Sequence, residues 1–136
     1  MTNSLETAIA QFFASSAFGV VGASNNRQKY GNKVLRVYLQ HQKKVYPVNP
    51  HEAVIEGLNA VPRIFELPPE VKSISIITPP QITQKIVLEA ISHGIKNIWM
   101  QPGAENDEAI SQCKDQAINV IAGGPCILVT LGFREA

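Results

Sequence analysis

No apolar run in this sequence approaches the ~20 residues that a membrane-spanning helix needs. An excess of one charge is missing too: 12 Lys and Arg face 11 Asp and Glu, for a net charge of +1. No global field therefore draws the chain to nucleic acid or to an anionic membrane, and any anion it binds must be held by local geometry. Cysteine is scarce. Cys113 and Cys126 give no disulfide framework and no metal-ligand spacing. Met1 to Ser16 carries Glu6 and polar breaks, without the basic start and apolar centre of a signal peptide. A cytoplasmic location is the expectation, with neither nucleic acid nor membrane as a partner. Repeats and low-complexity segments are absent as well.

What is present is a globular composition, 45% hydrophobic and 17% charged over 136 residues. That suits one domain spanning residues 1–136 around a single sizeable core. Short β-rich runs alternate with helical segments. Leu5, Ile9, Phe12 and Phe13 recur at helical spacing, which predicts an opening helix over 3–16. Strands are expected at 18–22, 44–48, 73–78, 97–100 and 119–122. A helix is expected over about 31–42, and another starting at Pro80, where a missing N–H is harmless, and capped by Gly94. Ala109, Ile110, Cys113 and Ala117 stripe a further helix. Residues 51–72 hold Gly57, Pro62, Pro68 and Pro69 and read as irregular, with one helical turn near Ile64 to Leu67. The apolar tail from Ile127 to Phe133 reads as a dimer surface or as a flap closing over the core.

Continuous apolar strands alternating with helices imply right-handed crossovers and a mainly parallel five-stranded sheet with helices on both faces, an α/β, three-layer, Rossmann-like fold. Ligands of such sheets bind at the C-terminal strand ends. Here those ends are loops of small, polar and proline residues. The first is the most telling: Phe18 to Gly22 is apolar, then Ala23-Ser24 opens a polar loop carrying Arg27 and Lys29. Small residues let backbone N–H groups approach an anion, and the following helix points its positive end there.

Two familiar fingerprints are missing from that loop. Gly19 and Gly22 are followed by no glycine until Gly31, so G-x-G-x-x-G is absent. The second strand ends in Pro47-Val48-Asn49-Pro50, with neither the acid that holds the ribose of NAD nor the arginine that reads the 2′-phosphate of NADP. The P-loop pattern is absent too. Arg27 and Lys29 can neutralise a diphosphate or a ribose phosphate, or can be solvated loop charges.

Val21-Gly22-Ala23-Ser24 with Tyr30-Gly31, then Val45-Tyr46-Pro47-Val48-Asn49-Pro50 with Gly57, form an ordered set. Pro79-Pro80, Val87-Leu88-Glu89-Ala90, His93-Gly94-Ile95-Lys96 and Ile98-Trp99-Met100-Gln101-Pro102-Gly103 continue it. Over roughly 15–130 the chain resembles the CoA-binding domain family, a Rossmann-like module also found at the N-terminus of the succinyl-CoA synthetase alpha subunit. The resemblance implies coenzyme A or an acyl-CoA as ligand. It implies that Gly22, Ala23, Ser24, Arg27, Lys29 and Tyr30 meet the diphosphate. Val48, Asn49, Pro50, Thr78, Pro79 and Pro80 would flank the nucleotide, and Met100, Gln101 and Gly103 would face the pantetheine. Two positions differ from the synthetase: His51-Glu52 stand where it has a lysine, and near the position of Gln101-Pro102 it has an acidic residue.

No catalytic constellation can be assembled. His41 and His93 fall at helix C-terminal ends, where a positive charge suits the dipole. His51 lies beside the expected site. Cys113 reads as core and Cys126 as a small, buried, inert thiol. The expectation is a binding protein that carries or senses a CoA-type molecule, with a protein partner or a second copy as possible company. The alternatives are a small acyl-CoA or ligase enzyme component, working through a partner's residues or through Cys126, and an NAD(P) sensor on the same fold.

Overall fold

The computed structural model describes residues 4–135. Helix α1 (Leu5–Phe13) starts where Ser4 accepts the Thr7 amide at 3.1 Å, an N-cap, and buries Phe12. The predicted start at residue 3 lies outside the described residues. Strand β1 (Ala17–Val21) follows, buried throughout. Then come α2 (Tyr30–Gln40), β2 (Val45–Val48), β3 (Val54–Ile55), β4 (Leu58–Asn59) and a 3-10 turn at Ile64–Glu66. Strand β5 (Val71–Ile76), α3 (Pro80–His93), β6 (Asn97–Met100), α4 (Asp107–Asp115), β7 (Asn119–Ile121) and α5 (Ile127–Leu131) complete the chain.

Five strands form one parallel sheet in the order β2-β1-β5-β6-β7. The two-residue periodicity of each strand divides the apolar side chains between two layers. Val21, Ile74, Ile76, Ile98 and Met100 meet Val87 and Ala90 of α3 and Ala109 and Cys113 of α4. Phe18, Val20, Trp99 and Ile121 meet α1, α2 and Ile127 on the other face. The expected α/β, three-layer, Rossmann-like architecture is the one observed.

Two local expectations are corrected, and one open alternative is resolved. Residues 54–59 are an antiparallel hairpin, β3 pairing with β4 around Glu56-Gly57 at φ 49° and 79°. Two-residue strands are too short to carry a period, so sequence spacing does not reveal them. Helix α4 stops at Asp115, and Ala117 adopts φ 58°, outside the helix. The apolar tail forms α5, whose Ile127 is fully buried and whose Leu128, Leu131 and Phe133 pack on the core, so the tail closes over it. Of the two readings of that tail, closure over the core is the one seen, although Val129 stays exposed.

Candidate functional site

The neighbours of β1 are β2 on one side and β5 on the other, so the strand order reverses there. Helix α2 leaves toward one face and α3 toward the other, which opens a crevice at the C-terminal ends of β1 and β5. Gly22 sits at its floor. It has φ 94°, and a Cβ there would strike the Ile77 carbonyl oxygen. Gly31 is the second tight point: its Cβ would collide with the Gly22 carbonyl. Both positions demand glycine: Gly22 for its left-handed φ and its close approach to Ile77, and Gly31 so that the start of α2 can rest against the end of β1.

The loop between them is ordered by its own side chains. The Asn26 amide donates to Ser24 Oγ, and the Gln28 amide to Asn26 Oδ1, each at 3.0 Å. Asn49 Nδ2 donates to the Ala23 carbonyl at 2.8 Å, tying the β2 end to this loop, while Asn49 Oδ1 accepts the His51 and Glu52 amides. Lys29 takes the N-cap position of α2 in extended conformation and offers no side-chain cap. The first amides of α2 therefore stay available, beside a lysine and at the positive end of the helix.

A cavity of about 450 Å³ lies over this arrangement, lined by Gly22, Ala23, Ser24, Lys29, Tyr30, Gly31, Asn49 and Ile77. Through Tyr30 and Ile77 it adjoins a second cavity of about 310 Å³, walled by Gln101, Pro102 and Cys126. Through Gly22 it adjoins an apolar groove of about 260 Å³ among Val48, Pro50, Pro62, Thr78, Ile82 and Ile86. The most polar of the three cavities is thus flanked by two less polar arms along one sheet edge. A model of the CoA binding domain matches residues 16–132.

The chain belongs to the CoA-binding domain family. It is 33% identical over 88 residues to an ADP-forming acetate–CoA ligase II subunit alpha from Pyrococcus furiosus, an alignment covering 64% of this chain and 19% of the relative. The chain therefore spans about a fifth of that relative's length. A conserved hypothetical protein of Pyrococcus furiosus has the same fold at TM-score 0.80 and 37% identity, over 84% of this chain and 97% of that one. A dinucleotide-forming acetyl-coenzyme A synthetase 1 from Candidatus Korarchaeum cryptofilum superposes at TM-score 0.69 and 25% identity, over 79% of this chain and 25% of that one.

Set on this CoA-binding fold, the expected site residues divide. Gly22, Ala23, Ser24, Lys29, Tyr30 and Asn49 converge on the central cavity. Val48, Pro50 and Thr78 line the apolar arm and Gln101 the other. Thr78 is fixed by a 2.7 Å bond to Thr83. Pro79 and Pro80 start α3 at the exposed rim, outside these cavities. Met100 is fully buried in the core and faces none of them. Gly103 is exposed, and its amide donates to Glu105. Arg27 is engaged elsewhere: its Nη1 donates to both oxygens of Glu56 at 2.8 Å.

Glu56, Gly31, Ile77 and the Ile82–Ile86 face of α3 are additions that sequence reasoning did not select. Gly31 had a signal, the Tyr-Gly pair that opens the helix; Glu56 had none, since the hairpin that delivers it was not visible. The buried Asn32 also donates to Glu56, and that bond, ahead of the one from Arg27, holds the carboxyl below its usual range. Cys126 is half-buried, not buried, and accepts from Gln101 Nε2 at 3.3 Å. Cys113 is buried, and desolvation pushes its thiol up to about 11. His93 Nε2 lies 3.0 Å from the Leu67 carbonyl, while His51 is exposed on the rim with Pro50 and Glu52. Among the described residues no three His, Cys, Asp or Glu side chains gather as a metal site.

Proposed function

We propose that this chain is a single cytoplasmic domain that binds coenzyme A or an acyl-CoA and acts as a carrier, sensor or partner module, without a catalytic group of its own. The observation that carries the reading is the contact of Gly31 with Gly22, which brings the uncapped start of α2 and Lys29 to the crevice beside β1. Fixed amides and one lysine suit a diphosphate, which needs donors more than a strong net charge.

The arms on either side fit the rest of such a ligand. The apolar groove by Val48, Pro50, Thr78 and Ile82 suits the flat adenine, while Asn49 belongs to the central cavity and Pro79 and Pro80 to the exposed rim that starts α3. The arm by Tyr30, Gln101 and Cys126 suits the narrow pantetheine chain and its thiol. In this arrangement Met100 stays in the core beside Gln101, and Gly103 lies in the turn beyond it.

Isothermal titration with CoA, acetyl-CoA, NAD and ATP tests the reading. Binding of CoA and acetyl-CoA ahead of NAD and ATP is the expected result. No heat from CoA at millimolar ligand overturns it, and tighter NAD binding transfers the site to a nicotinamide nucleotide. A second reading follows from the acetate–CoA ligase relative, of which this chain spans a fifth. Under it the chain is one component of an acyl-CoA enzyme, with catalytic residues from a partner chain. An acetyl-CoA-dependent, ADP-dependent reaction that appears only when a partner is added to the purified chain marks that case.

A further inference from the structure

Glu56 occupies a conformation that its residue type disfavours. It is the first residue of a two-residue hairpin turn, at φ 49°, where Asn, Asp or Gly is the usual occupant. A strained residue of this kind persists only where its surroundings over-determine it. Here they do. Asn25 Nδ2 donates to the Val54 carbonyl at 2.9 Å and anchors the hairpin to the β1–α2 loop. Asn32, fully buried, divides its amide between the Ser24 carbonyl and Glu56 Oε2. Arg36 donates to Asn32 Oδ1 at 2.6 Å, which fixes how that amide is turned.

The consequence falls on Arg27. Glu56 takes only its Nη1. Nη2 and Nε have no partner among the described residues, and the side chain is half exposed, 51% against 20% for Glu56. A guanidinium is a fork with donors on more than one edge. One edge is pinned and the others are open. The pair also stands in a telling place: Glu56 is on the hairpin that follows β2, close to where Val61 bridges Val48 at the end of that strand, and Arg27 reaches it from the β1–α2 loop. In doubly wound folds the ribose lies there, and an arginine there accommodates a phosphate on the ribose.

We propose that Glu56 is a positioning residue that holds Arg27 as the reader of a phosphomonoester on the ligand's ribose, the 3′-phosphate of CoA. This rests on the CoA reading above and assigns a distinct part of that site. The diphosphate is served by backbone amides and Lys29; the terminal phosphate, with its charge near −2, is served by the free edge of Arg27. The acid and the arginine that the end of β2 lacks are both supplied from other segments of the chain.

The test is titration of CoA against 3′-dephospho-CoA. The intact protein binds CoA more tightly by roughly tenfold, the scale of one charge-assisted contact. Arg27→Gln brings the two affinities together, and a far-UV circular dichroism spectrum matching that of the intact protein shows that the variant is folded. Arg27→Lys restores part of the preference. Glu56→Asn suits the turn but removes the carboxylate that holds Arg27, and so it lowers the preference by roughly three- to tenfold. Equal preference in the intact protein and in Arg27→Gln overturns the inference and leaves the CoA reading standing. Tighter CoA binding by Glu56→Asn also overturns it, because Glu56 is then a competitor for Arg27. Binding of neither ligand by the intact protein removes the CoA reading itself.

Discussion

The carbonyl oxygen of Gly22 occupies the space that a Cβ on Gly31 would need. The two glycines are nine positions apart, yet they act as one contact, joining the end of β1 to the first turn of α2. Gly31→Ala forces backbone against backbone, with no flexible side chain to yield. It is expected to cost about 1–3 kcal/mol, read as a lower urea midpoint, and to weaken CoA binding together with stability. An unchanged midpoint would mean that α2 can shift outward freely.

Tyr38 and Ser75 form a buried pair. The phenol oxygen lies 2.7 Å from Ser75 Oγ, and burial holds the phenol far above its usual titration range. Tyr38→Phe strands the serine hydroxyl and is expected to cost about 1–3 kcal/mol. Adding Ser75→Ala removes the stranded group, so the double variant should be more stable than the sum of the two single losses. A simply additive cycle in urea would count against a direct interaction.

The depressed carboxyl of Glu56 sets an acid limit. Its ordinary value is 4.5, lowered in the folded state by Asn32 and Arg27. The folded state therefore binds that proton less readily than the unfolded chain. The resulting stability is present above about pH 4.5 and fades as pH falls through the folded value. Glu56→Gln should flatten the stability profile below that pH and leave its slope at neutral pH alone. Thermal melts of both proteins from pH 7 down to pH 3 read this directly.

The two thiols should separate cleanly in labelling. Cys113 is fully buried and held protonated to about 11, whereas Cys126 is half-buried on a cavity wall. Iodoacetamide on the native protein is expected to mark Cys126 alone, with Cys113 appearing only in denaturant. Saturating CoA should slow the labelling of Cys126. Equal labelling with and without CoA would place the thiol end of the ligand elsewhere.

Much of this arrangement was legible in the residues. Long strands such as Ala17–Val21, and helices with a clear apolar stripe, announce themselves by period, and Gly94 and Pro80 mark their ends. The first loop was legible because small residues after an apolar strand mean close backbone approach. The hairpin at 54–59 was not, since its strands hold two residues each and Gly57 reads equally well as a break. Without the hairpin, Arg27 could be read only as a phosphate cation or a solvent-exposed charge. Met100 lay hidden for a different reason: a motif names neighbours in sequence, whereas strand alternation decides which of them faces the core. Cys126 departs from the general habit of cysteine to be buried, because the cavity that half exposes it depends on Tyr30 and Ile77, distant in the chain.

The register of the sheet has a kinetic consequence. Val21 pairs with Val48 on one side and with Ile76 on the other, and the crevice exists only where all three strands end together. Loop closure over such separations comes late in assembly, because distant segments must meet before their contacts reward them. The crevice therefore takes shape only once all three strands are joined. A molecule seated there meets only the finished protein, so it slows the escape from the native state and leaves the rate of reaching it nearly untouched.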